Sequence, residues 1–141
     1  MPVTSLGLVA AVPMPAQAAS TIVITRVYVN SPGSDRGTNK SLNAEYVQIK
    51  NTGTKSRSLK GWTLRDESRH VYTFGSFTLS AGKTVTVRTG TGTNTSATRY
   101  WNKSWYVWNN SGGDSATLRN AGGTGVDTCS WKKNVASYVN C

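Results

Sequence analysis

From residue 21 onward the chain is a succession of short runs in which apolar and polar residues alternate, each closed by turn formers. That is the pattern of half-buried strands. Residues 21–30 place Val23, Val27 and Val29 on one face, and residues 31–42 are polar, contain Pro32, Gly33 and Gly37, and read as a loop. Residues 43–51 predict a strand with Val47 and Ile49 on one side and Tyr46, Gln48 and Lys50 on the other. After a Thr-Gly-Thr turn, residues 58–65 predict a strand with Trp62 and Leu64 inward and Thr63 and Arg65 outward. Residues 70–74 put Tyr72 and Phe74 on one face; Phe77 and Leu79 mark the next strand, and Val85 and Val87 the inward face of residues 83–89. A Gly/Thr/Asn loop then leads to the aromatic segment 99–109, a turn at 110–114, a strand marked by Ala116 and Leu118, and a last strand at 126–131. About nine short strands, no helical pattern and no repeat of fixed period predict an all-β sandwich or barrel of immunoglobulin-like size.

Composition agrees. Ser and Thr number 35 and Val 14, against 7 Leu and 2 Glu, a composition suited to strands and poor in strong helix formers. A helical bundle or coiled coil is excluded, and five Trp and six Tyr argue against a disordered chain. At 141 residues there is room for one core.

Residues 1–25 carry no charged side chain, and the apolar run Leu6–Val12 precedes Ala16-Gln17-Ala18, a small-x-small triplet. This predicts a secretory leader over residues 1–18, cut before Ala19, and a secreted domain over 19–141. No Lys or Arg precedes the apolar run, so the true translation start is expected upstream. The run is far short of the ~20 apolar residues that span a bilayer. Export places the two cysteines, Cys129 and Cys141, in an oxidising compartment, where a bridge between them is expected to contribute roughly 2–3 kcal/mol. With no CxxC and one His, a zinc site is a poor alternative.

The segments Asn43-Ala44-Glu45-Tyr46-Val47-Gln48-Ile49-Lys50-Asn51 and Leu59-Lys60-Gly61-Trp62-Thr63-Leu64 resemble the opening strands of the lamin tail domain, the second matching its L-x-G-W-x-L pattern. Tyr72-Thr73-Phe74, Leu79-Ser80-Ala81-Gly82, Val85-Thr86-Val87, Trp108-Asn109-Asn110, Gly113–Leu118 and Asp127 follow in the family's order, so the resemblance covers residues 21–131. It implies an immunoglobulin-like β-sandwich without a catalytic centre, an interaction module that in bacteria is extracellular. The lamin rod, the nuclear localisation run and a C-terminal prenylation box are not in this sequence, so a filament role does not carry over. A shared fold sets only a prior on function.

Two clusters are candidates for a binding surface. Tyr100, Trp101, Trp105, Tyr106 and Trp108 are more rings than one face of a strand buries. Strand parity puts Trp101 and Trp105 on one side and Tyr100, Tyr106 and Trp108 on the other. Exposed rings would contact protein or wall carbohydrate; alternatively the segment folds its rings onto the end of the sandwich. Lys50, Lys55, Arg57, Lys60, Arg65 and Arg69 fall within 20 residues of a chain of net charge +10, with Arg88 and Arg119 also outward. Such a basic strip would attract DNA or another polyanion, or else is a solvated exterior. Trp62 reads as a core anchor, with a bulge or close backbone approach at Gly61. Residues 109–114 read as turn chemistry rather than a calcium loop.

Catalysis lacks an inventory: His70 is the one histidine, no G-x-S-x-G occurs, and Asp66 and Glu67 are adjacent. Asp35, Glu45, Asp114 and Asp127 form no evident pair, and Glu45 is expected to bond to an Arg or Lys. The expectation is a secreted, monomeric, non-catalytic module that needs no cofactor or metal. Its partner would be extracellular protein or cell-wall polymer, with DNA or another polyanion as the second reading.

Overall fold

The expected alternation holds where strands run through the middle of the sandwich. In a computed structural model that describes residues 21–33, 35–109, 111–132 and 135–141, strand β2 (Tyr46–Asn51) buries Val47 and Ile49, and β7 (Thr84–Arg88) buries Val85 and Val87. The leader expected over residues 1–18, with its cut before Ala19, lies outside the described residues. The remaining elements are β1 (Ile22–Tyr28), α1 (Asn39–Ala44), β3 (Arg57–Ser58), β4 (Thr63–Arg65), β5 (Val71–Thr73), β6 (Thr78–Leu79), β8 (Thr98–Tyr100), β9 (Asp114–Arg119), β10 (Gly125–Trp131) and β11 (Tyr138–Asn140).

A five-stranded sheet of order β11-β1-β2-β7-β8 faces a four-stranded sheet of order β10-β9-β4-β5, and β3 and β6 form a two-stranded ribbon. Pairings are antiparallel except β7 with β8, which is parallel. This is an immunoglobulin-like β-sandwich, with apolar residues of both inner faces in one core. Ile22, Ile24, Val27, Val47, Ile49 and Val85 line one layer and Leu64, Ala116 and Leu118 the other. Each large aliphatic among them contributes about 1.5–3 kcal/mol by leaving water. The disulfide Cys129–Cys141, Cα–Cα 5.6 Å, is present as expected. Among the described residues no helix is long and apolar enough to cross a membrane.

Several local expectations are corrected. In β1 the buried set is Ile22, Ile24 and Val27, with Val29 buried just beyond it, and Val23 is half-exposed. A bulge between Ile24 and Arg26 shifts the register, and the Ile24 N–H there donates to Asp127 Oδ2 at 2.8 Å. The expected 31–42 loop ends in α1, capped by Thr38 Oγ1, which accepts from the Ser41 N–H at 3.2 Å. With only Leu42 buried, this helix leaves no periodic trace in the sequence. The expected strand 58–65 is broken: Gly61 adopts φ +80 and a Cβ there would lie 3.2 Å from Ala121 Cβ, so β4 starts afresh at Thr63. Trp62 beyond the turn is buried in the core as expected.

Candidate functional site

The aromatic segment is a strand only as far as Tyr100. Asn102, at φ +63, then turns the chain, so the expected two-sided alternation of rings does not occur. Trp101 and Trp108 are buried together, and rings in contact run Phe77–Phe74–Tyr72–Trp101–Trp108–Trp131 through the core. Trp105 alone of the five is mostly exposed, at 58%. Its indole lies across Gly37, where an added Cβ would sit 2.3 Å from the ring. Tyr106 is half-buried, its hydroxyl bonded to Ser41 Oγ and accepting from the Gly37 N–H. Tyr100 is half-buried, its ring crossed by the chain at Gly92.

Glu45 organises this segment and, among the described residues, bonds to no cation, contrary to expectation. Its side chain is buried, and Oε1 accepts from Thr89 Oγ1 at 2.7 Å and the Val107 N–H at 2.8 Å, while Oε2 accepts from the Trp108 N–H at 3.1 Å. Burial pushes its pKa up to about 7 against the pull of those three donors, and the Asp35 charge adds to the push.

Other carboxylates do similar work. Asp114 accepts from the N–H groups of Glu67, Ser115 and Asn109, while burial raises its pKa. Asn109 Oδ1 in turn accepts from the Ser111 and Gly112 N–H groups, the expected turn chemistry of this loop. Asp66 accepts from the Ser68 and His70 N–H groups, and its other oxygen lies 2.6 Å from His70 Nδ1. Asp127 accepts from Ile24 and Thr128. Among the described residues no Lys or Arg lies within salt-bridge distance of an Asp or Glu; the single acid–base contact is Asp66–His70. No group of three His, Cys, Asp or Glu side chains among them is placed to hold a metal ion.

The residues of the basic strip are spread over three sheets and their turns. Lys50 is on β2 in the five-stranded sheet, Arg57 on β3 in the ribbon, and Arg65 on β4 in the four-stranded sheet. Lys55, Lys60 and Arg69 are exposed in the intervening turns, with Arg69 at φ +74. β2 and β4, which carry Lys50 and Arg65, therefore belong to different layers.

The five-stranded sheet instead assembles a row that sequence spacing does not reveal. Tyr138 pairs with Tyr28, Tyr28 with Tyr46, Tyr46 with Arg88, and Arg88 with Tyr100. These residues share a register level across all five strands, on the face away from the core. The Tyr28 ring lies 5.4 Å from Tyr46 and 5.9 Å from Tyr138, tilted by 33° in each case. Arg26 sits 4.1 Å over the Tyr138 ring and Arg88 5.3 Å over that of Tyr46. None of the five strands contains an Asp or Glu. Outward parity of Tyr28 and Tyr46 was the available sequence signal; their register was not.

The Lamin Tail Domain family profile matches residues 15–133, and among curated proteins no match is found. That span contains every strand of the sandwich but β11, the Glu45 site and all but Tyr138 of the tyrosine–arginine row. The chain therefore belongs to the Lamin Tail Domain family.

Proposed function

We propose that this lamin-tail-like interaction module is an exported, non-catalytic protein whose surface holds anionic polymers of the extracellular space. One observation carries the reading. Glu45, Asp66, Asp114 and Asp127 bind the protein's own N–H groups, while no described Lys or Arg is paired with an Asp or Glu. The described cations of a chain of net charge +10 are therefore left without acidic partners. Such a surface releases polymer counterions on binding, so affinity falls steeply with salt.

The test is a titration of immobilised heparin and duplex DNA against NaCl. Binding at low salt with a steep negative dependence of log K on log salt is expected, weakened by Arg57→Ala plus Lys60→Ala. No binding of either polymer at low salt overturns the reading. Export is tested by sequencing protein recovered from culture medium, which should begin at Ala19; an intact Met1 in the cell fraction counts against it.

A second reading rests on Trp105, the exposed indole seated on Gly37. It would contact an extracellular protein or wall carbohydrate, and Trp105→Ala would then abolish binding to envelope material at high salt without lowering stability.

A further inference from the structure

We propose that the open face of the five-stranded sheet binds single-stranded nucleic acid, with bases lying on Tyr28 and Tyr46 and phosphates on Arg26 and Arg88. The proposal rests on the polyanion reading above and assigns it a site and a ligand. The rings are offered in series by adjacent strands, with centroid spacings of 5.4 and 5.9 Å along the row. Bases in a duplex rise about 3.4 Å per step and already stack on one another. They cannot also lie on rings spaced like these, whereas an extended single strand exposes every base face to stacking.

The cations are built into the same row. Arg26 is stacked on Tyr138, and its Nε donates to Asn140 Oδ1 at 3.1 Å. That fixes the guanidinium plane and leaves its terminal nitrogens for a phosphate. Arg88 is fixed likewise, lying over Tyr46 with Nη1 donating to Asn43 O at 2.7 Å. Lys50, four residues beyond Tyr46 on the outward side of β2, adds a third positive charge. With no Asp or Glu in the five strands, the face complements a chain that carries one negative charge per repeat. A sheet that presents aromatic rings from neighbouring strands beside cations is a general solution for unpaired bases. Outward neighbours of the row on β2 and β7 are Gln48 and Thr86, neutral groups that bring no charge opposing a phosphate, while the Arg88 guanidinium occupies one side of the Tyr46 ring.

The experiment uses the full chain and fluorescence anisotropy of a labelled oligodeoxythymidine of about 15 nucleotides, within the site sizes usual for sheet-based binders. A duplex of the same length and heparin serve as competitors. The single strand is expected to bind at least tenfold more tightly than the duplex at equal salt. Tyr28→Leu plus Tyr46→Leu should weaken it by tenfold or more and barely alter duplex binding, since each lost stack is a sizeable part of such affinities. Arg26→Ala should weaken it more than Lys60→Ala, which removes the same charge elsewhere. If the tyrosine variant does not fold, photocrosslinking of an iodouracil-containing strand to the unaltered protein provides the reading. Crosslinks at Tyr28 or Tyr46 support the proposal; crosslinks confined to Trp105 overturn it. Equal affinity for single strand and duplex, with Arg26→Ala and Lys60→Ala equivalent, overturns this site while leaving the polyanion reading intact. Tighter binding of heparin with the same tyrosine dependence overturns the nucleic acid assignment in favour of an anionic glycan. Failure of all three probes at low salt defeats both readings.

Discussion

Glu45 is a carboxylate buried among donors, and its protonation couples fold stability to pH. Burial raises its pKa from the ordinary 4.5 to about 7, so the folded state holds the proton more tightly than the unfolded chain does. The stability gained from that proton is complete below pH 4.5 and is lost as pH rises through about 7. At 1.36 kcal/mol per pKa unit the swing is about 3 kcal/mol. The unfolding free energy from urea titrations should fall between about pH 4.5 and 8, by an amount of that order. Glu45→Gln removes the titration but turns an amide NH2 toward either the Val107 or the Trp108 N–H donor. A donor facing a donor in a buried site costs about 1–3 kcal/mol. The variant should therefore be less stable at pH 4.5, with most of the slope gone. An unchanged slope in the variant assigns the pH dependence elsewhere, Asp114 being the next candidate because burial raises its pKa too.

Among the elements, β11 is the one whose position depends most on a covalent link. It has three residues, pairs only with β1, and lies at the edge of the five-stranded sheet. The disulfide joins Cys141, just after it, to Cys129 on β10 in the opposite sheet, while the Cys141 N–H donates to Thr25 O at 2.9 Å. Closing a loop of this length contributes about 3 kcal/mol. Cys129→Ala with Cys141→Ala should cost about that much in urea unfolding. Amide exchange should accelerate at Val139 while Val47, Ile49 and Val87 keep their protection, since β2 and β7 are central strands. Uniform acceleration across the sheet would show that β11 is no separate unit. The same element scale shows what the sequence could disclose. β2 and β7 were legible because each alternates strictly and is buried on one face. β1 was not, because Ile22-Val23-Ile24 suits either register, and the bulge that decides it is anchored by Asp127, 103 residues away in sequence. The tyrosine row was hidden for the same reason: it is made by inter-strand register, with Tyr28 and Tyr138 brought together from distant ends of the chain. In the aromatic segment alternation stops at Tyr100 for a reason local patterning does not carry: Asn102 turns the chain and Glu45, far away in sequence, collects the Val107 and Trp108 N–H groups.

For the molecule as a whole, the decisive quantity is a net charge of +10 with no Lys–carboxylate or Arg–carboxylate pair among the described residues. Added salt then screens repulsion and has no such pairs to weaken. Between about 10 and 150 mM NaCl the Debye length shortens from ~30 to ~8 Å. The melting temperature should rise over that range, where a protein laced with surface ion pairs would show little change or a fall. A bound polyanion acts separately. At a hundredfold excess over its Kd it should add about 2.7 kcal/mol to stability, because it binds the folded form. Salt then has opposing effects: it strengthens the free protein by screening and releases the polymer by counterion competition. With heparin present, stability should therefore start high, fall as salt displaces the polymer, and converge on the salt-stabilised free protein. Calorimetry over a salt series with and without heparin checks both curves. A melting temperature that falls with salt in the polymer-free series would mean that favourable surface electrostatics hold the fold together, and would count against unpaired cations as the basis of binding.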